Sequence, residues 1–126
     1  MAHQNWEPTY SLPAAADLRL LQYRAVTING SGLIAICGLG VLPEAVLDNV
    51  PNTNEMARFF TLLRYVGKIK AGGTVALGAL FSSDATGKAI AGATGAKYFG
   101  KALQAAASGD VFTALFDFSG RYGAVP

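Results

Sequence analysis

Lys68-Ile69-Lys70-Ala71-Gly72-Gly73-Thr74-Val75-Ala76-Leu77-Gly78, Ser83-Asp84-Ala85-Thr86-Gly87-Lys88-Ala89 and Gly100-Lys101-Ala102-Leu103-Gln104-Ala105-Ala106-Ala107-Ser108-Gly109-Asp110 repeat one style of writing. Short apolar segments are cut by Gly, Asp and Ser at intervals of roughly ten residues, as in many small antiparallel sandwiches and barrels. The reading is a mainly β chain built for packing.

Working outward, Val111 to Phe118 is the cleanest strand. Phe112, Ala114, Phe116 and Phe118 alternate with Val111, Thr113, Leu115 and Asp117, so the aromatic set occupies one face. These three Phe residues anchor the core or a subunit interface, at about 2–3 kcal/mol each if fully buried. Gln104 to Gly109 has enough Ala for one short helical turn before Gly109 stops it. Upstream, Leu18 to Ile28 reads as a strand that ends at Asn29-Gly30-Ser31-Gly32, a strong turn signal, with Leu33 to Cys37 returning as a hairpin. Val41 to Val50 carries Pro43 and ends before Pro51, which suits a bent or edge segment. Glu55 to Lys70 fits helical spacing through Met56, Phe59, Phe60 and Leu63, but strand alternation and β-branched and aromatic content favour an extended segment.

Residues 1–16 read as an extended arm before one β-rich domain at 17–126. The arm holds Trp6, Pro8, Tyr10, Leu12 and Pro13 without periodicity. Disordered tails are poor in aromatics, so an arm that docks, on a neighbouring chain or on its own domain, accounts for Trp6 and Tyr10. The candidate interface residues are Trp6, Pro8, Tyr10, Leu12, Phe112, Phe116 and Phe118.

Composition narrows the function classes. In 126 residues, 52% are hydrophobic and only 14% charged, against a usual charged share of about 25%. Part of the surface is therefore expected to face protein, as in a homo-oligomer or larger assembly. The net charge of +2 is scattered, so nucleic-acid binding is not expected. Arg64, Lys68 and Lys70 are the longest basic feature and suit a strand edge guarded against stray pairing. No apolar span is long enough for a transmembrane helix, and no secretion signal stands at the N-terminus, so a soluble product made in a cytoplasm is expected.

Chemistry has little to work with. His3 is the one histidine and Cys37 the one cysteine, and Cys37 lies in the apolar run Leu33-Ile34-Ala35-Ile36-Cys37. Neither a Ser-His-Asp nor a Cys-His arrangement, nor a His/Cys zinc site, can be built within one chain from these. Asp84, Asp110 and Asp117 sit in or beside turns, where Asp caps its own backbone. The Gly38-Leu39-Gly40 and Ala71-Gly72-Gly73-Thr74 loops lack the Lys of a phosphate cradle. No enzyme, cofactor or metal is expected.

The three opening blocks, in that order and spacing, resemble a family of small tailed-bacteriophage capsid decoration (cement) proteins. The resemblance covers the C-terminal half, and Gln22-Tyr23 more loosely. It implies a small β-barrel or tulip-like domain, trimeric at three-fold and quasi-three-fold positions of the head. Such a domain would clamp the major capsid protein on the outer surface of the virion, after assembly in the bacterial host cytoplasm. It also implies that the arm reaches onto the capsid. The chain departs from the pattern between Val41 and Tyr65 and in the tail Ser119 to Pro126. A different reading is a β-barrel binding module for host-surface glycans, with Tyr98 or Tyr122 as an exposed sugar platform.

Overall fold

The computed structural model of the chain describes residues 9–126, which form ten strands and no helix. They are β1 (Thr9–Pro13), β2 (Ala25–Ile28), β3 (Ile34–Ile36), β4 (Ala45–Val46), β5 (Met56–Phe60), β6 (Arg64–Lys70), β7 (Leu80–Ser83), β8 (Ala89–Ile90), β9 (Tyr98–Ala102) and β10 (Val111–Asp117). Three antiparallel sheets result, in the orders β1-β5, β3-β2-β4 and β6-β10-β9-β7-β8. The mainly β class holds.

The expected barrel does not close. The five-stranded sheet curls until Ala71, just past β6, meets Ala89 of β8 in a single parallel bridge, with Gly72 N–H donating to the Ala89 carbonyl at 2.8 Å. β8 has only two residues, too few to continue that bridge into a ladder. The expected helical turn at Gln104–Gly109 is also absent. Ala106 exchanges both backbone hydrogen bonds with Val75 at 2.9 Å, and amides used across strands are lost to a helix.

The three-stranded sheet is the middle layer, and its sequence explains why. Ala25 and Val46 are partners in register and face one core; their neighbours Val26 and Ala45, also partners, face the other. A sheet buried on both sides has no polar face to alternate, hence the continuous Ala-Val and Ile-Ala-Ile runs. The first core lies under the five-stranded sheet, and the second lies against the β1-β5 ribbon. The β2-β3 hairpin turns as expected: the Asn29 carboxamide oxygen accepts from Ser31 N–H at 2.9 Å and Leu33 N–H at 3.1 Å.

Two strand expectations need correction. Leu18 to Ile28 is extended only from Ala25, because Leu18–Tyr23 turns back on itself, with Leu21 N–H donating to the Leu18 carbonyl at 3.0 Å. Glu55 to Lys70 is two strands, since β5 pairs with β1 and β6 with β10, and one straight strand cannot serve two sheets. The exposed Thr61, Leu62 and Leu63 make the crossing.

Cys37 is fully buried, and burial pushes its thiol up, so it packs as a small neutral hydrophobe. The tail beyond β10 is tied down: Val125 N–H donates to the Ala96 carbonyl and Gly95 N–H to the Val125 carbonyl, both at 2.9 Å.

Asp117 is the one buried carboxylate among the described residues. Its Oδ1 accepts from the Ser119 hydroxyl and, at 3.0 Å, from Ser119 N–H, while Arg64 Nε lies 3.3 Å from Oδ2. The Ser119 hydroxyl, foremost, holds the carboxyl below its usual range, with backbone and Arg64 contributions outweighing the opposing effect of burial. A depressed folded pKa stabilises above the unfolded value of about 3.9, and that contribution disappears as pH falls through the folded value. Asp117→Asn should therefore lower the unfolding free energy by about 1–3 kcal/mol at pH 7. In urea titrations its gap to the parent should shrink once the pH drops below about 4; a gap constant from pH 7 to 2 would assign the loss to packing instead of charge.

Candidate functional site

Among the described residues no group of three or more His, Cys, Asp and Glu is placed to hold a metal ion. The turn carboxylates are occupied by backbone. Asp84 Oδ1 accepts from Thr86 N–H at 2.8 Å and Lys88 N–H at 2.9 Å, and Asp110 accepts from Ala107 N–H at 3.0 Å.

Of the residues expected at an interface, the three Phe are placed inside. Phe112, Phe116 and Phe118 are 2%, 0% and 8% exposed, so in the folded chain they serve the core and not an outer contact. They belong to one ring cluster: Phe116 stacks on Phe118 with centroids 5.6 Å apart, and Phe81 meets Phe112 edge-on at 5.5 Å. Trp6 and Pro8, like His3, lie outside the described residues. Tyr10 and Leu12 are on β1, paired with Phe59 and Ala57, and Tyr10 packs edge-on against Phe59 at 6.2 Å while staying 36% exposed. The second part of the expected arm is thus a strand of the fold, followed by Ala14 in the core. Tyr98 and Tyr122 are half-buried.

The surface that sequence reasoning passed over is the outward face of the five-stranded sheet. Strand register sets Val66, Leu115, Lys101 and Leu80 side by side across β6, β10, β9 and β7. The next row brings Lys68 against Thr113, with the Thr113 carbonyl accepting from Leu103 N–H at 3.0 Å, and beyond it Lys70 pairs with Val111. Val66 is 59% exposed, Val111 46% and Leu103 43%. The alternation along Val111–Asp117 carried the signal, because Leu115 and Val111 fall opposite the Phe face on a side that water would ordinarily claim.

Beside β6 opens a cleft of about 280 Å³ lined by Tyr23, Leu47, Asp48, Phe60, Tyr65 and Lys68. Tyr23 holds a left-handed backbone, φ 62°, which costs a bulky residue energy unless both sides fix it. They do: Tyr23 N–H donates to the Leu47 carbonyl and its own carbonyl accepts from Lys70 N–H, both at 2.9 Å. Burial, aided by the Asp48 charge, pushes the Tyr65 phenol up, so this wall stays neutral.

No protein-family model and no curated protein sequence matches the chain. Its structure is similar to the N base of the head fiber protein gp8.5 of bacteriophage phi29, at a TM-score of 0.75 and 16% identity. The two share a fold. The similarity covers 88% of this chain and 94% of that one, so it takes in the layered sheets and not a single motif.

Proposed function

We propose that this chain is a structural protein of a bacteriophage head, bound to the outside of the capsid and acting by adhesion. The observation that carries the reading is the fold, shared almost end to end with the base of a phage head fiber. The cement-protein blocks at Lys68–Gly78, Ser83–Ala89 and Gly100–Asp110 point to the same place from sequence alone. In this reading the chain is a homotrimer at three-fold and quasi-three-fold positions, contacts the major capsid protein, and stiffens the head against the pressure of packaged DNA. No bond is made or broken by its side chains. Weak contacts per copy suffice, because an arm and a trimer engaging together make each later contact intramolecular.

The test follows from the strand pairing. Removal of residues 1–16 would take away β1 and the buried Ala14, so the informative truncation stops before Thr9. Full-length protein should sediment as three chains and co-migrate with mature heads assembled without it. The truncation lacking residues 1–8 should keep its thermal unfolding midpoint and lose at least tenfold in head affinity. Equal affinity of the two forms would remove the arm from the mechanism, and absence of full-length protein from heads would overturn the reading itself.

A further inference from the structure

The four strands β6, β10, β9 and β7 carry Arg64, Lys68, Lys70 and Lys101 against a single carboxylate, Asp117. That is a net +3 on four strands of a chain whose total is +2, which leaves −1 for everything else. Asp117 is buried and already engaged by Arg64 and Ser119. Among the described residues no carboxylate lies within ion-pair distance of Lys68, Lys70 or Lys101. These lysines have no ion-pair partner among the described residues, and Lys101 stands between apolar side chains, with Leu115 on one side and Leu80 on the other.

Guarding a sheet edge explains part of this pattern. β6 is an edge strand, and lysines on edges discourage stray pairing. Lys101 does not fit that explanation, because β9 is an interior strand with β10 on one side and β7 on the other. An interior lysine between two half-buried Leu side chains, on a face that also exposes Val66, Val111 and Leu103, is what a partner's carboxylates and apolar atoms would select. We infer that the outward face of β6-β10-β9-β7 is a docking surface for an acidic protein surface with an apolar centre. A nucleic acid fits less well, since the side chains interleaved with the cations, Val66, Leu80, Val111 and Leu115, are aliphatic and give bases no stacking platform between the charges. Complementary charge of this kind speeds encounter and fixes orientation, and it fades as salt screens it.

The choice of probe rests on the head-adhesion reading, so two probes are used. The first is mature heads assembled without this protein; the second is an immobilised peptide of alternating Glu and Leu. Lys101→Glu is compared with Lys97→Glu, the same charge change at an exposed residue outside the face. With unfolding midpoints unchanged, Lys101→Glu should weaken binding to both probes at least tenfold and flatten the salt dependence, and Lys97→Glu should stay within twofold. If heads take up neither form but the peptide still distinguishes Lys101→Glu, the head reading fails and the docking face stands. Equal loss from both substitutions, no salt dependence, or tighter binding to a DNA duplex than to heads and peptide would overturn the inference.

Discussion

Phe81→Ala is expected to lower the unfolding free energy by about 3–5 kcal/mol, which for a domain of this size is a large share of the total. Phe81 is wholly buried and sits at the hub of the aromatic core. Its ring meets Phe99 at 5.0 Å, Phe112 at 5.5 Å and Phe116 at 6.3 Å, each close to perpendicular. Such edge-to-face pairs add about 0.5–1.5 kcal/mol beyond area burial. The site cannot collapse to fill the gap, because the ring covers Gly100, where an added Cβ would stand only 2.2 Å from the Phe81 ring. Gly100 has no side chain to swing in, and its strand is held between β10 and β7. Urea unfolding of the variant measures the effect, and a loss under about 1.5 kcal/mol would mean that the core relaxes around the hole.

This arrangement also separates what residues declare by themselves from what assembly decides. Alternation put Phe112, Ala114 and Phe116 on one face of one strand, and turn chemistry put a hairpin at Asn29–Gly32; both depend on near neighbours in the chain, and both are present. Whether an inward Phe meets its own core or a neighbouring subunit depends on what lies above it. That is set by Phe81 and Phe99, which belong to strands of no visible periodicity. Sheet closure is the same kind of question: the curl of five strands and the two-residue length of β8 decide it, and no local pattern encodes either. The break at Thr61–Leu63 hid for a related reason. Inward residues stay odd-numbered on both sides of it, Phe59 before and Tyr65 and Ile69 after, so alternation runs through a change of sheet without a mark. The Val41–Tyr65 departure from the decoration-protein pattern supplies β4 and β5, and with them much of the second core.

The docking face was partly readable. Lys68 and Lys70 were visible as a basic feature, but their coupling to Lys101 requires the β10 register that lines Val66, Leu115 and Lys101 in one row. Thirty-odd residues of sequence separate them, so only pairing reveals the row.

Gly87→Ala should be costly out of proportion to one methyl group. Gly87 closes the β7-β8 turn with φ +79°, a conformation that costs an L-residue roughly 1–2 kcal/mol. An added Cβ would also stand 2.6 Å from the Ala25 carbonyl oxygen and 3.2 Å from Ala25 N. Those are backbone atoms of β2 in the middle layer, unable to rotate aside. The approach is close for a reason: Ala25 N–H donates to the Gly87 carbonyl at 2.7 Å, tying the five-stranded sheet to the three-stranded one. Strain and overpacking together predict a loss of about 2–4 kcal/mol. The expected signature is more specific than lowered stability. Because the contact joins two layers, amide exchange should rise at the β2–β8 seam before it rises in the β6-β10 ladder. Uniform acceleration across all the sheets would instead mean that the layers open together and that Gly87 is no local seam.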